Sequence, residues 1–236
     1  DLKYVNRFKS TKLSKEQFSE IVEYTRERGL VTIATPFDNE SLPWLQDLDV
    51  SVVKGASCSI ADWPLLRESC KINKRIMIST GGASIEHLKK VYSLFKSHNR
   101  DFAFMHCVGE YQTSIENSNL NRIKLVQDIF PDIEIGFSTH ESPLDESITP
   151  YAVAMGCTII EKHIGIETNE IKLNAYSCTD YDIENLIKKI NILNKASNPL
   201  IPYDERTSEL ESLKNLKRGM YVNKDLKQGD IISLDD

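Results

Sequence analysis

The hydrophobic pattern of this chain is repetitive. Short apolar runs, rich in β-branched residues, alternate with longer stretches in which apolar positions return every three or four residues. The runs 30–35, 50–54, 75–80, 102–107, 133–138 and 158–163 are too short for helices and do not alternate with polar residues. Both features predict strands buried on two faces. The intervals 41–48, 61–72, 84–98, 120–130 and 146–155 predict helices between them, with further helices over 14–29 and 179–194. Local signals support these bounds: Ser14 stands three residues before Gln17 as in a capping box, Gly29 stops that helix, Pro64 falls in a first turn, and Ser84 caps the helix it precedes. The basic segment 3–12 predicts irregular structure, with Leu2, Tyr4 and Val5 as the remains of a strand.

Six strands, each followed by a helix, predict an α/β protein with a parallel sheet. Polar residues end every strand: Thr35, Lys54, Ser79, His106, Ser138 and His163. A site drawn from all strand ends favours the closed (β/α)8 TIM barrel over the open doubly wound sheet, which uses mainly one switch point. Six strands are two short of closure, so the first strands are expected upstream of Asp1 or missing. After residue 198 the texture changes. Pro199, Pro202 and the acidic patch 204–211 predict a linker, and 217–232 the start of a small β-rich module with Lys-Gln-Gly-Asp as a turn. The expected domains are 1–198 and 199–236.

Composition narrows the partners. A net charge of −6 over 236 residues gives no electrostatic reason to expect nucleic acid or an anionic membrane. No run approaches the roughly 20 apolar residues of a membrane span. Five widely spaced cysteines without a C-x-x-C pair read as reduced, mostly buried thiols of a cytoplasmic protein.

The candidate chemistry centres on His140 and His163, which end consecutive strands. A lone histidine there is more often a hydrogen-bonded structural residue, but two imidazoles brought side by side suit a divalent metal. Glu161 projects from the same strand face as His163 and can ligate the metal, orient His163 or neutralise Lys162. Lys54 at the mouth of a buried sheet calls for an anion or else snorkels at the edge. With Thr35, Ser57, Ser59, Ser79, Thr80, Gly81 and Gly82 it describes a pocket for a small phosphorylated anion. His106 and Cys107 read as supporting residues, His87 and His98 as helix-surface residues, and Trp44 and Trp63 as packing.

The ordered motifs A-T-P-F-D (from Ala34), V-K-G-A-S (from Val53), I-S-T-G-G (from Ile78), M-H-C-V-G-E-Y (from Met105), G-F-S-T-H (from Gly136) and E-K-H (from Glu161) together resemble the sialic acid synthase family. The segment from Arg218 resembles the start of that family's antifreeze-like, or SAF, domain. The resemblance implies condensation of phosphoenolpyruvate with an N-acetylated sugar aldehyde such as N-acetylmannosamine, giving a nonulosonic 2-keto acid and phosphate, with Mn2+ or Mg2+, on a TIM barrel in a homodimer. It further implies His140 and His163 as metal ligands, and Thr35, Lys54, Ser57, Ser79 and Ser138 around phosphoenolpyruvate. Tyr111 and Glu161 then line the sugar side. Three departures stand out: Thr139 replaces the usual Asp between Ser and His, Gly109 the usual Asn or Ser, and K-L-N-A-Y-S with Asn174 a G-x-D segment. All three are expected on the sugar side, which implies a different acceptor. The family's first strands also carry a catalytic Glu and a basic residue that this sequence does not contain, so the chain as given is expected to be incomplete. Two other functions fit the same residues: a metal-dependent barrel aldolase using pyruvate, and a non-catalytic carbohydrate-binding remnant.

Overall fold

A computed structural model describes residues 2–197, 202 and 205–234. The six predicted strands form one parallel sheet: β1 (Ile33–Ala34), β2 (Val52–Gly55), β3 (Arg75–Ser79), β4 (Phe102–Cys107), β5 (Glu134–Thr139) and β6 (Ile160–Lys162). Their spatial order is their chain order. A doubly wound sheet would reverse direction at a switch point, whereas sequential order is the barrel arrangement. Curvature confirms it. Strands β2 and β6 lie four strand spacings apart, about 19 Å in a flat sheet, yet Lys54 Nζ on β2 is 3.3 Å from Glu161 Oε1 on β6. The sheet therefore curls into a barrel-like wall with an inner and an outer face.

The helices are α1 (Leu2–Ser10), α2 (Lys15–Glu27), α3 (Ser41–Asp47), α4 (Trp63–Ser69), α5 (Ile85–Ser97), α6 (Asn121–Ile129), α7 (Ile148–Ala154), α8 (Asp180–Ser197) and α9 (Thr207–Lys214). Of these, α4 to α7 pack on the outer face of the sheet. The main core packs Leu88, Val91 and Phe95 of α5 and Ile123 and Val126 of α6 against Ile76, Ile78, Phe104 and Phe137 of the sheet. A second cluster joins Val22, Leu42, Leu45, Val50, Val53 and Leu65 near β1 and β2. The predicted caps form: Ser14 and Gln17 make a reciprocal capping box, and Ser84 Oγ accepts the His87 N–H.

Several expectations are corrected. Residues 2–10 are helical, because Val5 and Phe8 recur at helical spacing and not at the strand period. Strand β1 pairs over two residues only, since β2 is its sole described neighbour; Leu30, Val31 and Ile33 are exposed there. The acidic linker contains α9, with Glu209 in its first turn and Lys214 in its last, charges that complement the helix dipole. Trp44 is also less buried than its packing role implied, at 43% exposure with the Lys15 ammonium 5.9 Å from its ring.

Residues 1–193 form one compact unit and 194–236 another. In the second, the expected turn is present, with Asp230 N–H donating to Lys227 O. No strand forms among the described residues of 217–234; Pro199 and Asp204 lie outside the described set. No helix among the described residues is long and apolar enough to cross a membrane.

Close packing of strands leaves one position without tolerance. Gly136 pairs with Met105 across β4 and β5, and a Cβ there would collide with the Met105 side chain and lie 2.7 Å from the Ile159 carbonyl. A backbone oxygen inside a sheet cannot move aside. Gly136→Ala is expected to lower stability by about 1–3 kcal/mol, read as a lower urea midpoint; an unchanged midpoint would contradict the packing.

Candidate active site

Alternation along the strands sorts the polar residues. Phe137 and Ile160 belong with the outer core, so Ser138 and Glu161, which are register partners, face inward. Met77 and Ser79 face inward by the same count, and Lys54 pairs with Met77 in register. His140 and His163 continue the inward series just past the ends of β5 and β6. Thr139 falls on the outer face with Lys162, its register partner. It is therefore not on the sugar side, contrary to the expectation from the motif.

The two histidines meet. Their ring centroids are 5.1 Å apart. Burial holds both imidazoles below their usual pKa, and His140 also depresses His163 by charge repulsion, so both are neutral near pH 7. His140 Nδ1 is 3.1 Å from the Val108 carbonyl, which can only accept. Nδ1 therefore carries the proton and leaves the Nε2 lone pair available, the second-shell arrangement of metal-binding histidines. Backbone contacts fix both residues: Thr113 N–H donates to His140 O, and Cys178 N–H to His163 O.

The loop after β4 folds over this pair. Thr113 Oγ1 and Asn117 Nδ2 both bond to Glu110, bracing the loop, and the Tyr111 ring lies tilted against His140, 4.1 Å between centroids. Burial raises the Tyr111 phenol above its ordinary pKa, which keeps it a neutral hydrogen-bond donor.

Elsewhere on the inner face, the Lys54 side chain, 15% exposed, has Glu161 as its counter-charge. The structure thus assigns Glu161 to Lys54 and gives Lys162 a different partner, Glu141. Glu161 Oε2 and the buried Ser79 hydroxyl make no hydrogen bond with any described residue, an uncommon state for buried polar atoms. Ser138, the register partner of Glu161, is buried as well. Thr35 lines a cleft with Lys54, Met77 and Glu161. Ser57 Oγ accepts the Gly81 N–H at 3.1 Å, and both residues line a neighbouring cleft with Gly109 and Tyr111.

Asn174 is exposed, and its Oδ1 accepts the Tyr176 N–H. That turn delivers Tyr176 to the histidines, 5.0 Å from His163 and 5.7 Å from His140 between ring centroids. Sequence reading passed over Tyr176; its only signal was an aromatic two residues beyond a turn-forming Asn. Removing the ring should loosen the histidine pair, so Tyr176→Ala is expected to raise the KM for the sugar aldehyde that the resemblance implies by about 10-fold while sparing the fold. An unchanged KM would show that this ring lies off the path.

His106 plays the supporting role expected of it, buried, stacked on Phe137 and 3.0 Å from the Ser118 carbonyl. His87, expected on a helix surface, is instead half-buried, with Nε2 2.8 Å from the Ile60 carbonyl and its ring against Trp63. All five cysteines are free, and only Cys58 is exposed. The described residues contain no group of three or more His, Cys, Asp or Glu placed to hold a metal, so a cation here would have two imidazoles as its protein core and open positions for oxygen ligands.

The family model described as NeuB family matches residues 1–199. A pseudaminic acid synthase of Campylobacter jejuni is 30% identical over 96% of this chain and 65% of its own length. A putative spore coat polysaccharide biosynthesis protein E from Chromobacterium violaceum superposes with a TM-score of 0.87 at 35% identity, covering 93% of this chain and 65% of that one. N-acetylneuraminic acid (sialic acid) synthetase from Leptospira borgpetersenii gives 0.82 at 26% identity, covering 93% and 77%. The chain spans 51% to 68% of the length of the first curated relatives it matches. With its ordered motifs on the same curled parallel sheet, this chain belongs to the NeuB family, that of the sialic acid synthases.

Proposed function

We propose that this chain carries the active site of a synthase that condenses phosphoenolpyruvate with an N-acetylated amino sugar aldehyde, forming a nonulosonic 2-keto acid and phosphate. One observation carries the reading: a desolvated Lys54 ammonium and a pair of neutral imidazoles share one inner face, with Glu161 between them. Two enzyme relatives, pseudaminic acid synthase and sialic acid synthetase, support the sugar-acid class.

In this reading Lys54, Ser57, Ser79, Ser138 and Thr35 bind phosphoenolpyruvate, with the ammonium transferring part of its contact from Glu161 to the incoming anion. His140 and His163 hold a divalent cation, Mn2+ or Mg2+, through their free ring nitrogens. That cation, when bound, supplies Lewis-acid polarisation of the aldehyde oxygen. C3 of phosphoenolpyruvate bonds to the aldehyde carbon, water adds at C2, and phosphate departs with its C–O bond. Glu161 and Tyr111 face the sugar, Glu161 as an acceptor for its hydroxyls and Tyr111 as a donor. Gly109 and the segment around Asn174 set an acceptor different from N-acetylmannosamine. The functional assembly is a homodimer, and residues 199–236 begin a SAF-like domain.

The test is phosphate release from phosphoenolpyruvate by the full-length gene product, with Mn2+ or Mg2+ and a panel of N-acetylated hexosamines. Release with at least one sugar is the expected result. Turnover with pyruvate in its place would select an aldolase, and no turnover with either would leave a carbohydrate-binding role and sink the proposal.

A further inference from the structure

Lys162 and Glu141 form the most deeply buried ion pair among the described residues. Nζ lies 2.8 Å from Glu141 Oε1, and the two side chains are 7% and 2% exposed. Thr149 on α7 donates its hydroxyl to the same oxygen at 2.8 Å. Desolvating two charges in this way rarely adds net stability over an apolar pair, so packing alone does not account for it.

Its position does. Glu141 directly follows His140 and Lys162 directly precedes His163. Side chains alternate, so the histidines point into the barrel while the ion pair closes behind them on the helix side. The bridge ties the backbone that carries one imidazole to the backbone that carries the other. Thr139, the register partner of Lys162 on that outer face, has no charge to offer, and the carboxylate comes instead from two residues further along.

We propose that the Glu141–Lys162 bridge is a positioning device that holds His140 and His163 at the spacing at which both reach one cation, with Glu141 supplying the charge that Thr139 lacks. The cation part rests on the function proposed above. Both residues act through the histidines and touch no substrate.

The test compares the intact protein with Glu141→Gln and with the relocated-charge variant Thr139→Asp/Glu141→Ser, which places the carboxylate opposite Lys162 in register. Two readouts are taken: Mn2+ affinity by EPR titration, and the tautomer of His140 by 15N NMR of the metal-free protein. Glu141→Gln is expected to weaken Mn2+ by about 10- to 100-fold and to mix the His140 tautomers, and the relocated variant to recover both. Parental affinity together with a single tautomer in Glu141→Gln would overturn the proposal, as would failure of the relocated variant to recover either. Should Glu141→Gln not fold, recovery of folding and Mn2+ affinity by the relocated variant decides for the bridge, and its failure decides against it. A parent that takes up no Mn2+, or whose uptake is unchanged by His140→Ala, would defeat the cation reading; the tautomer comparison would still decide the bridge.

Discussion

His140→Ala is expected to abolish phosphate release and cation retention together. His140 is one of the two imidazoles that meet on the inner face, and its Nδ1 is committed to the Val108 carbonyl, so Nε2 is the atom the site loses. A Lewis acid contributes several kcal/mol to transition-state stabilisation, so turnover should fall by roughly 10³-fold or more. His140 belongs to neither apolar core cluster. The variant should therefore keep its fold, losing mainly the ring contact with Tyr111, and its far-ultraviolet dichroism should match the parent. Metal content after dialysis, measured alongside phosphate release, checks the assignment. A variant that retains its cation would show that His140 is a structural histidine.

Lys54→Met should strike the other end of the site. Methionine reproduces the aliphatic stem without the charge, so the inner face stays filled while phosphoenolpyruvate loses its counter-ion and Glu161 its partner. Removing one member of a desolvated charge pair costs about 2–5 kcal/mol, so kcat/KM for phosphoenolpyruvate should drop by roughly 30- to 5,000-fold. Cation affinity should change far less than in His140→Ala. The double variant Lys54→Met/Glu161→Gln separates the two losses: if Lys54 served only to neutralise Glu161, removing both charges would restore the parental KM. That recovery would defeat the anion-binding role.

Much of this was legible in the linear pattern. The continuous apolar runs at β3, β4 and β5 end within one residue of where periodicity put them, because a strand buried on both faces needs apolar residues throughout. Ser14 and Ser84 cap the helices they were expected to cap. The histidine pair was legible because both residues end adjacent strands of a parallel sheet. Thr139 was misplaced because a family motif is read as a unit, whereas a strand sends consecutive side chains to opposite faces. Tyr176 was missed because the loop 164–178 has no period from which its path follows; backbone bonds between residues 163, 165 and 178 set that path.

The sequence by itself determined the strand and helix alternation, the parallel α/β class, and the residue types gathered at the strand ends, since these depend on local periodicity and capping. Tertiary structure alone decided the rest. Sheet curvature brings Lys54 to Glu161 across four strand spacings, register sets Lys162 beside Thr139, and the loops carry Tyr111 and Tyr176 onto the histidines. Contacts of this kind join residues distant in the chain, and only the path of the folded backbone fixes which of them meet.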